Sequence, residues 1–169
     1  MSPPRIATPA AFSASEFRTA LGMFATGVTI VTARGDDGAP IGLTANSFNS
    51  VSLDPPLVLW SLALRSLSLP VFRAGTHYAI NVLASDQHEL ALRFAKSSDN
   101  RWKDVPWKPG IAGAPLLEGA AACFECFNRS RYDEGDHVIF VGQVEHCEHR
   151  AGASPLLFHG GRFYTEHPL

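Results

Sequence analysis

The chain has 169 residues, 46% of them apolar and 18% charged, with a formal net charge of −2. That length suits one domain with a real core, and the composition is that of a folded chain, not a disordered one. The 14 basic and 16 acidic residues are scattered, so no Lys/Arg cluster offers a nucleic-acid footprint, and no apolar run reaches the roughly 18 to 20 residues of a membrane-spanning helix.

The opening "MSPPRIATPAAFSAS" is rich in Pro, Ala and Ser and lacks the continuous apolar core of a secretory signal. It reads as a flexible tail over residues 1–13, ahead of a single domain over 14–169. Three cysteines, an odd number, point to a reducing cytoplasm without structural disulfides. Ser13 or Ser15 caps a helix marked by Phe17, Leu21 and Phe24, with Gly27 as its stop. Val28 to Ala33 alternates as a strand. Asp37-Gly38 is a hairpin signal, and residues 41–53 read as the returning antiparallel strand, ended by Asp54-Pro55-Pro56.

"LVLWSLAL" (57–64) reads as a strand buried on both faces. "LPVFRAG" follows as a short helical turn, then a strand from 78 to 84. A second helix starts at Ser85 or Asp86 and carries Leu90, Leu92 and Phe94. "NRWKDVPWKPGIAGAP" reads as a loop, and the last third as β-hairpins. Six or seven strands with two or three helices predict a mainly β protein, an antiparallel barrel with helical decoration.

Several possible chemistries are weak in this sequence. Cys123 and Cys126 have C-x-x-C spacing, but in a strand they point to opposite faces and read as buried free thiols. His146, Cys147, Glu148 and His149 read as a solvated strand end, so no metal site is expected. Dinucleotide-binding Gly-x-Gly-x-x-Gly, Walker and Gly-x-Ser-x-Gly motifs are all missing.

The strand at 41–53 is the anomaly. Leu43, Ala45, Val51 and Leu53 share one phase and would fix it to the barrel. Thr44, Asn46, Ser47, Asn49, Ser50 and Ser52 are six hydrogen-bonding side chains within nine residues, and 41–53 contains no charge. A merely solvated strand face usually carries charges, so this density of hydroxyls and amides suits a planar polar ligand. Downstream, Arg65 with Ser66 and Ser68 suits a phosphate. His137, in "GDHVIFVG", stands where a Gly-Asp turn meets a strand.

The stretches "FRTALGMFATGVTIVTA", "GLTANSFNSVSLDPPLVLWSL", "YAINVLASDQHELALRFA", "GAPLLEGAAACFEC", "GDHVIFVGQV" and "PLLFHGGRFY" occur in one order. Together they resemble the flavin reductase family, the reductase components of two-component flavin-dependent monooxygenases, from about residue 14 to 164. The resemblance implies a split β-barrel and a homodimer that binds FMN or FAD. It also implies hydride transfer from NADH or NADPH to the flavin, which a separate monooxygenase then uses. Mapped onto this chain, it places Thr44, Ala45, Asn46 and Ser47 along the flavin ring, with Ser50, Ser52 and Ser61 continuing the wall. Arg65, Ser66 and Ser68 fall at the ribityl chain and phosphate. His137 falls near the nicotinamide, and Phe163 and Tyr164 at the pocket rim. Two other readings are a non-enzymatic flavin- or haem-binding carrier or sensor on a related split barrel, and a metal-dependent barrel enzyme using the histidines.

Overall fold

The computed structural model describes residues 7–169. Of the expected tail, residues 1–6 lie outside the described residues, and 7–13 are exposed and carry neither helix nor strand. The first helix, α1 (Ala14–Gly22), is capped by Ser13: its hydroxyl accepts from the Glu16 amide at 3.2 Å, while its own amide donates to the Glu16 carboxylate at 2.7 Å. That capping box fixes where the helix starts. Phe17 and Leu21 are exposed, as is Phe24 just beyond the helix, and the Phe17 ring meets that of Phe12, itself exposed, at 5.5 Å.

β2 (Thr29–Arg34) and β3 (Pro40–Ala45) form the expected hairpin, with Gly38 at φ +78° supplying the turn. The single returning strand expected over 41–53 is instead two. β3 ends at Ala45, and β4 (Asn49–Leu53) begins after a break and pairs with β5 (Pro56–Ala63). Next come α2 (Leu69–Ala74), β6 (His77–Val82) and α3 (His88–Phe94). The long strands β9 (Ala122–Glu134) and β10 (His137–His149) follow, and all the pairings in the main sheet are antiparallel. The main sheet runs β3-β2-β6-β9-β10-β5-β4. Its two edges are thus joined directly by residues 46–48. The fold is mainly β, a split barrel whose opening lies where those edges face one another.

Smaller pieces complete it. β7 (Trp107–Pro109) and β8 (Pro115–Leu117) pair within the segment expected to be a plain loop. β1 (Thr26–Gly27), β11 (Leu157–His159) and β12 (Arg162–Tyr164) form a three-stranded sheet.

The barrel core gathers Val31, Trp60, Phe72, Tyr78, Val138 and Phe140, with Trp60 stacked on Phe140 at 4.8 Å and edge-on to Phe72 at 5.0 Å. A second cluster under α3 holds Val28, Ile30, Leu83, Ala91 and Phe94. Three expectations about burial change. β5 alternates, burying Val58, Trp60 and Leu62 and leaving Leu57, Leu59 and Ser61 half-buried. In α3, Ala91 and Phe94 face inward while Leu92 is exposed. Val51 and Leu53, expected to be anchors, are 49% and 94% exposed, because β4 lies along the outer edge of β5 and turns them away from the core.

Candidate functional site

The break after β3 opens a cleft of about 590 Å³. One wall is Leu43 to Ser47, the end of β3 and the crossing beyond it. The second is Ser61 to Ala63 of β5, then Arg65 to Ser68 in the turn before α2. The third is Phe94 to Ser97, where α3 ends, together with Arg101. His137, the first residue of β10 and the ladder partner of Ala63, completes the lining.

Hydrogen bonding decides which polar groups here are free for a ligand. The Thr44 hydroxyl donates to the Ala91 carbonyl at 2.7 Å, fastening β3 to α3. The Ala45 carbonyl accepts from the Thr29 hydroxyl at 2.7 Å. The Ser47 hydroxyl accepts from the Ser61 amide at 2.9 Å and donates to the Ser61 carbonyl at 3.3 Å. Two of the hydroxyls expected to contact a ligand therefore satisfy the protein itself. By contrast, the Asn46 side chain is exposed, and among the described residues the backbone N–H groups of Asn46, Ser47 and Phe48 have no hydrogen-bond acceptor. Main-chain donors in a strand break are oriented dipoles that suit an electron-rich ligand edge.

The cleft is positive. Arg65, Lys96 and Arg101 line it, no lining residue is acidic, and none of the three forms an ion pair among the described residues. Arg101 is oriented by donating to the carbonyls of Gly42 (2.9 Å) and Ser98 (3.3 Å). The Ser66 hydroxyl accepts from the Ser68 amide at 3.3 Å, which shapes the turn beside Arg65. Enclosed charge of one sign raises the local concentration of an anionic ligand.

His137 Nδ1 lies 2.6 Å from the Asp136 carboxylate. That hydrogen bond, then the charge of His137 and more weakly that of Arg65, holds the Asp136 carboxyl below its ordinary value. The carboxylate fixes the ring by one nitrogen and leaves Nε2 as the other polar atom.

Thr44, Ala45, Asn46, Ser47, Ser61, Arg65, Ser66, Ser68 and His137 are thus brought together. Phe163 lines an adjoining, mostly apolar cavity of about 330 Å³ that shares Thr44, Ala45 and Asn46 with the cleft. Tyr164 lines a different hollow, beside His88 and Ser85. Ser50 and Ser52 do not continue the wall: they sit on β4, opposite Val58 and Leu57, after the chain has crossed to the outer edge. Sequence reasoning missed Lys96, Ser97 and Arg101. The polar run "AKSSDNR" after α3 was a signal, but only the folded chain carries it to a wall made 30 to 50 residues earlier.

Among the described residues, no group of three His, Cys, Asp or Glu side chains is placed to hold an ion. Cys123 and Cys126 are buried free thiols, raised by burial to about 11 and about 12.

Residues 21–167 match the flavin reductase like domain. The chain belongs to this family. Among its relatives is the FMN reductase (NADH) SmoA of Agrobacterium fabrum, 48% identical over 155 residues, covering 92% of this chain and 87% of that one. The reductase component of the flavin-dependent trigonelline monooxygenase of Acinetobacter baylyi is 43% identical, over 89% of this chain but only 48% of its own length. This flavin reductase-like chain therefore spans about half of that relative. Among solved structures, the Streptomyces globisporus NADH:FAD oxidoreductase SgcE6, in complex with NAD and FAD fragments, superposes with a TM-score of 0.86. It is 40% identical over 91% of this chain and 93% of that one.

Proposed function

We propose that this chain is an NAD(P)H:flavin oxidoreductase, reducing FMN or FAD with a nicotinamide hydride and releasing the product to a separate monooxygenase. The observation that carries the reading is the cleft itself, in which Asn46 and Ser47, whose main-chain N–H groups have no acceptor among the described residues, share one lining with a cationic turn and no acidic residue. Those donors suit the acceptor edge of an oxidised ring, and Arg65 with Ser66 and Ser68 suits a phosphate. Family membership and the names of the relatives support the same activity, and those that name a donor name NADH.

When bound, the flavin supplies an electrophilic ring nitrogen that accepts the hydride and later surrenders electrons to oxygen chemistry elsewhere. The protein's own residues need only bind, orient and exclude water. Backbone donors of Asn46 and Ser47, with the Asn46 amide, would hold the flavin's polar edge and favour negative charge there. Asp136 orients His137, so its free nitrogen can position the donor's carboxamide without transferring an obligatory proton. No nucleophile is required, which agrees with a cleft lined by hydroxyls already committed to the backbone.

Two further points belong to this reading. The chain acts as a homodimer, supported by exposed Leu53 and Val51 and by the exposed apolar residues Phe17, Leu21 and Phe24 at α1. It acts in the cytoplasm, where reduced nicotinamides are supplied; among the described residues no helix is long and apolar enough to cross a membrane. Steady-state oxidation of NADH with free FMN, followed at the nicotinamide absorbance, tests the activity. Turnover no faster than the protein-free blank refutes it and leaves the carrier reading.

A further inference from the structure

A second hollow, of about 400 Å³, shares no lining residue with the cleft. It lies between the β7–β8 hairpin and the far end of the β9–β10 ladder, where Cys123 pairs with Glu148 and Ala122 with His149. Its size is that of a small-molecule site. Leu116, Leu117 and Cys123 form its floor and are only 5%, 3% and 4% exposed. The fully buried Asn81 braces that floor: its side-chain oxygen accepts from the Leu117 amide at 2.8 Å and from the Cys123 thiol at 3.3 Å. A braced floor needs little ordering when a ligand binds.

The rim carries both signs of charge. Lys108 and Glu148 neutralise one another at 3.4 Å. Arg150 and Glu118 do not. Arg150 Nη2 donates to the Gly119 carbonyl at 3.0 Å, one residue from Glu118, yet neither charged side chain has an ion-pair partner among the described residues. Gly119, at φ +79°, and Ala120 line the hollow too, and their main-chain N–H groups have no acceptor among the described residues. Opposite charges left unpaired above an apolar floor match a ligand that carries both charges on a small apolar body.

We propose that this hollow binds a free α-amino acid with an apolar side chain. The ligand carboxylate bonds the Arg150 guanidinium and the N–H groups of Gly119 and Ala120. Its ammonium group donates to the Glu118 carboxylate, and its side chain rests on Leu116 and Leu117. The Gly119 carbonyl orients the guanidinium with one nitrogen and leaves its other donors for the ligand. A simple anion would meet Glu118 and a simple cation would meet Arg150, each a like-charge contact. The zwitterion turns both into attractions. The site stands apart from the flavin reading and does not depend on it.

Calorimetric titration of the full chain with L-leucine tests this, beside two probes of similar size that each lack one charge, isocaproate without the ammonium and isopentylamine without the carboxylate. L-Leucine should bind in the millimolar range or tighter, and each singly charged probe at least about tenfold more weakly. Glu118→Gln, a shape-conserving change at an exposed position, should weaken L-leucine about tenfold and leave isocaproate no weaker. Arg150→Ala should weaken L-leucine to a similar extent and leave isopentylamine no weaker. No binding of L-leucine, by heat or by saturation-transfer NMR, overturns the proposal. Isocaproate binding as tightly as L-leucine makes this a plain carboxylate site and also overturns it. L-Leucine affinity unchanged in Glu118→Gln, or abolished by saturating FMN, places the amino acid elsewhere and overturns it as well.

Discussion

Ser47 and Ser61 exchange two hydrogen bonds, hydroxyl to amide at 2.9 Å and hydroxyl to carbonyl at 3.3 Å. The β4–β5 ladder stops at Asn49 and Leu59, so Ser61 would otherwise face the split with both main-chain groups unpaired. One side chain continues the ladder that the backbone has left. The Ser47 main chain is thereby released toward the cleft.

Ser47→Ala should therefore cost stability as well as binding. Losing two partly buried bonds is worth roughly 1–2 kcal/mol. Urea unfolding should show a lower midpoint at an unchanged slope, and Ser47→Thr should recover most of it.

Asn46→Ala should behave in the opposite way. Its side chain is exposed and has no hydrogen-bond partner among the described residues, so unfolding should move by less than about 0.5 kcal/mol. Flavin affinity should fall about three- to tenfold by titration. An unchanged affinity would remove Asn46 from the site.

These two variants mark how much the sequence could say. The density of polar groups over 44–52 was legible, and its first part, Thr44 to Ser47, lines the cleft. What each hydroxyl does was not, because Thr44 and Ser47 find their partners at Ala91 and Ser61, far along the chain. A two-residue period also cannot reveal that a strand leaves one sheet edge and rejoins at the other. Leu43 and Ala45 consequently pack against the core, while Val51 and Leu53, on the same phase, are exposed. Local signals fared better: the Ser13 cap, the Asp37-Gly38 hairpin and the β9–β10 ladder all lie where short-range chemistry put them.

His137→Ala should lower kcat/KM for the nicotinamide about ten- to a hundredfold while changing flavin affinity less than twofold. Asp136 adds a pH signature. Its carboxyl is held low in the folded chain, so its contribution is present above the ordinary carboxylate range and is lost as pH falls through the lowered value. The melting temperatures of wild type and Asp136→Asn should differ at pH 7 and converge only as pH falls below the ordinary carboxylate range.

Leu53, 94% exposed at the tip of an edge strand, is the natural test of assembly. Light scattering should give twice the chain mass for wild type and a shift toward the monomer for Leu53→Asp. A monomeric wild type would exclude the homodimer.

Hydride transfer within the cleft is the step on which the function rests. Anaerobic mixing of the protein with flavin and NADH, followed by loss of the flavin's visible absorbance, measures that step without any partner. Bleaching should proceed at a rate set by protein concentration, slowed at least tenfold by Arg65→Ala at subsaturating flavin. Bleaching no faster than in buffer, or equally fast in the Arg65 variant, would contradict it.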